Sequence, residues 1–284
     1  HITLSNAYGK IGGMANMATL INEIRGDRSN NTLLIDCGDT WQGSYSSLQT
    51  RGEDMVEVMN AMGVDLMTAH WEFTYGANRV KELIKKLDFP FLAANVTDTE
   101  WEEPVFKDIV YFERGGIKIG VIGQAFPYTP IANPRYMIPD WSFGIQEEKI
   151  RASIQKAKSE GAELIVLASH NGFDVDRKLA SRVDGIDVIL TGHTHDAIPG
   201  VIKVKNTSFI RKTTLIIIAN DAISAIGFEI PCPAISGAVP CTGSKRPGPS
   251  PKEADGNIPS EPVNAADASL KMSPKIFPVT KTSN

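Results

Sequence analysis

Cysteine is scarce in this chain, with three among 284 residues. That excludes the disulfide framework on which small secreted domains depend. Cys232 and Cys241 are near enough to pair in an oxidising compartment, while Cys37 reads as a small buried thiol at a strand end. A surplus of one charge is missing as well. The net charge is −4, so no basic field exists of the kind that gathers on nucleic acid. Long apolar runs are absent; the longest candidate, Leu215 to Ala219, is strand-sized and far short of the roughly 20 residues of a membrane span. No Gly-rich phosphate loop favours a kinase or a dinucleotide enzyme. No signal peptide is visible, and a chain opening with His1 reads as a processed form or a fragment.

What is present fits a globular core: 42% apolar and 22% charged residues. Over about the first 205 residues, strand-like and helix-like patterns alternate, the signature of an α/β layered fold. Met14 to Arg25 has helical spacing, and Thr32 to Asp36 is a short apolar run closing on Cys37-Gly38-Asp39. Met55, Val58, Met59 and Met62 form a helical stripe that reads as core packing. Asp65 to Ala69 is the next strand, and a helix is predicted from about Ala77 to Leu87. Val105 to Phe112 and Ile117 to Ile122 read as a hairpin turned at Arg114-Gly115-Gly116. A helix near Gln146 to Glu160 precedes two buried strands, Leu164 to Ala168 and Val188 to Leu190. Residues 1–206 read as one catalytic-type domain, and residues 207–230 offer possible extra strands at Leu215 to Ala219 and Ala225 to Ile230. Ten of the 17 prolines fall after residue 230, so residues 231–284 read as a disordered tail that cannot offset its ordering entropy.

Four of the five histidines sit in short motifs after expected strands: Ala69-His70-Trp71-Glu72, Ser169-His170-Asn171-Gly172 and Gly192-His193-Thr194-His195. Together with Asp39 they offer one carboxylate and four imidazoles at strand ends, where catalytic groups of open α/β sheets collect. A mixed His/Asp set suits a two-metal hydrolytic centre. Singly, each motif is also compatible with a hydrogen-bonded structural histidine or a turn.

The order Gly-Asp, His-Trp-Glu, Ser-His-Asn-Gly and Gly-His-Thr-His resembles the calcineurin-like metallophosphoesterase superfamily, in its 5′-nucleotidase branch, over roughly residues 31 to 200. The resemblance implies a two-layered β-sandwich flanked by helices, with two divalent metals at strand ends. It implies that Asp39 bridges both ions, that His170 and His193 bind one, and that His195 binds the other. The branch has Gly-Asn-His-Glu where this chain reads Ala69-His70-Trp71-Glu72. An imidazole therefore replaces a ligand amide, and an indole with no proton to transfer replaces the general acid. Together with Asp39 to Ser44, Thr50 to Asp54 and Gly192 to Pro199, this third motif is similar to the thiosulfohydrolase family of the bacterial Sox sulfur-oxidation system. That narrower resemblance implies a periplasmic enzyme with two manganese ions. It would release sulfate from a cysteine S-thiosulfonate on the carrier SoxYZ.

In that frame Trp71 lines the site or is an ordinary core aromatic. Glu72 orients His70 or another ligand, or is a strand-end surface carboxylate. Asn95 and Asn171 hydrogen-bond the oxyanion, orient ligands or belong to turns, and Arg51 neutralises the anion or is a solvated loop residue. The superfamily's Asp-x-His motif would precede Ala7-Tyr8-Gly9-Lys10 and is not in this sequence. Beyond about Thr207 there is no match to the family's C-terminal domain. The expectation is one firmly held ion and a weaker one on the His195 side. Two other readings remain: a 5′-nucleotidase or cyclic phosphodiesterase with an altered third motif, and an inactive, metal-poor binding module.

Overall fold

The computed structural model describes residues 4–6, 9–11, 13–28, 30–195, 201–210 and 215–219. The hairpin β1 (Leu4–Asn6) and β2 (Gly9–Ile11) leads into helix α1 (Met14–Asp27) and strand β3 (Thr32–Asp36). Helices α2 (Tyr45–Thr50) and α3 (Glu53–Met62) precede β4 (Leu66–Met67), and a 3-10 turn over Trp71–Tyr75 runs into α4 (Ala77–Ile84). Next come β5 (Thr97–Asp98), β6 (Ile109–Arg114), β7 (Ile117–Gln124), the single turn α5 (Thr129–Ala132), β8 (Trp141–Ser142) and α6 (Glu147–Ser159). Then follow β9 (Leu164–Ser169), α7 (Phe173–Arg182), β10 (Val188–Thr191), β11 (Ile202–Val204), β12 (Thr207–Ile210) and β13 (Leu215–Ala219).

Two sheets carry the fold. One has six strands in the order β11-β12-β10-β9-β7-β6, and the other three in the order β13-β3-β4. The central strands β7, β9 and β10 run parallel, as do β3 and β4. Period-2 alternation sorts their side chains into layers. Leu33 and Ile35 of β3 meet Ile119, Val121, Val166, Ala168 and Leu190 of the large sheet in one buried cluster between the sheets. The opposite face of the large sheet sends Ile122, Ile165, Leu167 and Ile189 against Ile150 and Ile154 of α6 and Leu179 of α7. Leu34, on the outer face of β3, packs with Ile21 of α1 and Met55, Val56, Met59 and Met62 of α3. Each such side chain contributes about 1.5–3 kcal/mol on burial. The result is the expected two-layered β-sandwich flanked by helices.

The methionine stripe is core, and the β6–β7 turn holds Gly115 and Gly116 at φ of 57° and 76°, the left-handed pair a tight hairpin needs. Other elements differ from the pattern. Strand β6 starts at Ile109, not Val105, because Val105 and Phe106 turn away to pack on the α3-side core. Helix α7 had no signal, since Gly172 precedes it without a side-chain cap. The possible extra strand at Leu215 to Ala219 is present as β13, antiparallel to β3, and β12 within 207–230 pairs in parallel with β10. The strand expected at 225–230 and the tail at 231–284 lie outside the described residues. No helix among the described residues is long and apolar enough to cross a membrane.

Gly123, near the end of β7, leaves the space that Leu92 fills: a Cβ there would stand 2.2 Å from the Leu92 Cβ and 2.7 Å from its carbonyl. Backbone cannot yield as a side chain does. Gly123→Ala should lower the free energy of unfolding by about 3 kcal/mol. Gly26→Ala, in α1 with nothing within 4 Å, should raise it by up to about 1 kcal/mol. Denaturant melts of both variants check the pair.

Candidate metal centre

Parallel strands deliver their carboxyl ends to one edge, and the loops there bring four expected ligands together. Asp39 follows β3, His70 follows β4, His170 follows β9 and His193 follows β10. Their ligand atoms all lie within 4.8 Å of one another. Close approach requires glycine: a Cβ on Gly38, at φ 93°, would meet the Ala69 backbone at 2.9 Å and His170 Nδ1 at 3.1 Å. Asp39 and His193 themselves adopt φ of 68° and 76°. Left-handed backbone at a non-glycine residue costs about 1 kcal/mol or more and persists where surrounding contacts over-determine it.

Donor chemistry at the centre points to a cation. His170 Nδ1 lies 2.5 Å from the Cys37 carbonyl, which can only accept, so Nδ1 carries the proton. In the neutral ring, Nε2 is then an acceptor, yet it faces Asp39 Oδ2 at 2.9 Å and His70 Nδ1 at 3.2 Å. His70 Nδ1 can donate or accept according to its tautomer, but the two acceptors Nε2 and Asp39 Oδ2 are reconciled by a proton or a cation between them. Burial works against charge on the ring, but the Asp39 carboxylate outweighs it and raises the His170 pKa. Burial likewise opposes the Asp39 charge, while hydrogen bonds from His170 and His70 hold the carboxyl far below the usual range. His193 behaves oppositely: burial first, then His170 and His70, push it down to about 4 and keep it neutral. A neutral imidazole, an ionised carboxylate and crowded ring nitrogens are what a divalent ion binds, and the residues fit one.

Around the four, other expected residues take definite places. Trp71 donates its backbone N–H to Asp39 Oδ1 at 3.0 Å, and its indole stacks on His70 with ring centres 4.5 Å apart. Glu72 is fully buried. Its Oε1 accepts from the amides of Thr40 at 2.6 Å and Trp41 at 3.3 Å, and its Oε2 from those of His70 at 2.7 Å and Asp39 at 3.3 Å. Asn171 donates Nδ2 to the buried Asp176 carboxylate, which Ser169 Oγ also reaches at 2.8 Å. Asn95 donates to the Ala125 and Gly144 carbonyls and accepts the Ala125 amide, so both ends of its amide tie backbone segments together. Arg51 stands apart. It is exposed, donates to the Tyr75 carbonyl, and lines a separate cleft of about 440 Å³ with Arg79 and Tyr136. His195 is exposed and lies outside the four-residue group.

Two residues beside the centre carried no sequence signal. Phe126, two residues past β7, lies against His70 and His193. Its placement was readable only once β7 was known to run parallel beside β9. Asp176, in α7, is buried under the Ser169-His170-Asn171 turn, and desolvation pushes its carboxyl up to about 6.

No family model matches the chain. Snake venom 5′-nucleotidase from Gloydius brevicauda is 32% identical over 191 residues, covering 65% of this chain and 32% of that relative. Bovine (Bos taurus) 5′-nucleotidase is 29% identical over 199 residues, 67% of this chain and 34% of the relative. Among solved structures, the Thermus thermophilus sulfate thiohydrolase SoxB in complex with glycerol has 36% identity and a TM-score of 0.71, covering 74% of this chain and 40% of that one. The chain belongs to the 5′-nucleotidase branch of the calcineurin-like metallophosphoesterases. This is a superfamily of hydrolases, and the branch accounts for the sandwich and for the His/Asp set at its strand ends. The chain spans about a third of the length of the curated relatives it matches.

Replacing Glu72 by Gln takes the acceptor from two of four buried amides. Glu72→Gln should cost about 2 kcal/mol or more of stability, read by denaturant melt, and should weaken Mn2+ binding. Asp176 generates a pH effect. Its folded pKa of about 6 exceeds the ordinary 3.8. Stability from this group is therefore present below about pH 4 and is lost as pH rises through 6, at about 1.4 kcal/mol per unit. Asp176→Asn should remove that part of the slope. Melts of both proteins at pH 4.5 and 6.5 check it, and equal slopes would refute it.

Proposed function

We propose that this protein is a SoxB-type thiosulfohydrolase, releasing sulfate from a cysteine S-thiosulfonate on the sulfur-carrier protein SoxYZ. The observation that carries this reading is the indole of Trp71 stacked on His70, 4.5 Å between ring centres, where the branch resemblance places a proton-donating imidazole. The likeness to SoxB over 74% of the chain supports it.

Divalent ions bound at the centre supply Lewis-acid chemistry, activating a water and neutralising oxyanion charge. Asp39, His70, His170 and His193 would hold them, with His195 joining on the second ion's side. Asp39 is aimed by the Trp71 amide and by Glu72 behind the loop. His170 is locked as the Nδ1–H tautomer by the Cys37 carbonyl. Trp71 itself presents an apolar face and offers no transferable proton. An alkoxide leaving from a phosphate ester benefits from such a proton. A sulfane sulfur does not need one. The water oxygen bonds to the sulfonate sulfur and the S–S bond breaks with its electron pair on the sulfane sulfur. A persulfide stays on the carrier, sulfate departs, and the protons of water pass to solvent.

Manganese as the metal and the periplasm as the compartment belong to the same reading. The rival is a nucleotide-directed activity, which the 5′-nucleotidase relatives favour. Manganese-loaded protein offered S-thiosulfonated carrier and, separately, a nucleoside monophosphate should release sulfate from the first and no phosphate from the second. Chelation should abolish the activity. Phosphate release from the nucleotide alone would establish the rival. Trp71→His should lower sulfate release about tenfold or introduce phosphatase activity; neither change would leave Trp71 as packing only.

A further inference from the structure

The three clustered imidazoles are not held alike. His170 is fixed by its hydrogen bond to the Cys37 carbonyl, the usual way a ligand histidine is oriented through its second nitrogen. His70 and His193 have no such anchor: His70 Nε2 and His193 Nδ1 are both buried without a hydrogen-bond partner among the described residues. Trp71 stacks on His70 alone, and His170 approaches both rings only at an angle, with centres 4.9 Å and 5.3 Å away; outside the ligand set, Phe126 meets both. The Phe126 phenyl stacks on His193, with centres 4.2 Å apart and planes 28° from each other, and tilts against His70 at 4.1 Å. It also reaches His170 edge-on at 6.3 Å. The backbone sets where the phenyl stands, because the Phe126 amide donates to the Ala69 carbonyl at 3.0 Å, directly before His70. Tyr128 meets the phenyl edge-on at 5.8 Å.

We infer that Phe126 is a positioning residue of the metal centre, its ring restraining the planes of His70 and His193, of which His70 Nε2 and His193 Nδ1 have no hydrogen-bond partner among the described residues. An imidazole lone pair lies in the ring plane, so a ring free to rock spreads its donor direction and loses affinity for an ion that needs several donors at one point. Stacked and tilted aromatic pairs prefer defined offsets, which makes a phenyl able to restrain both rings at once. The inference rests on the four-residue cluster being a metal site and is independent of the substrate.

The test is direct Mn2+ titration, by calorimetry and by the EPR signal of free Mn2+, on the wild-type chain, Phe126→Leu and Phe126→Tyr, with melting temperatures taken in chelator. Phe126→Leu keeps apolar bulk and loses the ring, so it should bind Mn2+ about tenfold more weakly. Phe126→Tyr keeps the ring and should stay within about threefold of wild type. Both should melt close to wild type when metal-free. Unchanged affinity in Phe126→Leu would overturn the inference, as would equal losses in both variants. A fall confined to the metal-free melting temperature would overturn it too, since that is what mere packing gives. A wild-type chain that binds no Mn2+ would instead remove the metal-site reading, a distinct outcome.

Discussion

The Glu72 carboxylate receives four backbone amides from two loops that are distant in sequence, those after β3 and β4. The Asp39 and His70 side of the metal centre, on which His170 closes, depends on this clamp. Asp39 rides on one loop and His70 on the other, so the carboxylate fixes the spacing between the central acid and the first imidazole. Charge-assisted bonds of this kind are strong, and buried amides without an acceptor are costly, so the loops have little freedom to part. The clamp also explains how Asp39 can sit in a left-handed conformation that its side chain disfavours.

Behind the clamp stands strand direction. Because β3 and β4 run parallel in one sheet, and β7, β9 and β10 in the other, every loop bearing a ligand emerges at a carboxyl end. The sandwich core of Leu33, Ile35, Val121, Val166 and Leu190 holds the sheets in register with each other. Its alternation is apolar on both faces, with the helices α3, α6 and α7 covering the outside. The candidate metal ligands gather at the edge formed by the carboxyl ends of the strands.

Much of the centre was legible because its chemistry needs scarce residues. Four histidines after apolar runs, and an acid after Gly38, stand out in a chain with five histidines. The supporting layer was less legible. Phe126 resembles any aromatic in a loop, and Asp176 any acid in the first turn of a helix. Asn95 and Asn171 were read with oxyanion contacts among their possible roles, but amides serve backbone and ligand equally well. The structure engages both ends of the Asn95 amide with backbone, whereas Asn171 binds Asp176 through Nδ2.

The sequence by itself determined the layered α/β class, the candidate ligands and the substitution of an indole for a proton donor. These follow from local pattern: apolar runs of strand length, helical spacing, and residue types with few alternative uses. Tertiary structure alone decided which candidates meet. Asp39, His70, His170 and His193 converge to within 4.8 Å, while Arg51 faces another cleft and His195 stays exposed. It also decided that Glu72 holds the loops and that Phe126 lies against two imidazoles. The reason is physical: side-chain chemistry is written residue by residue, but distances between loops are set by the parallel pairing and twist of strands far apart in the chain.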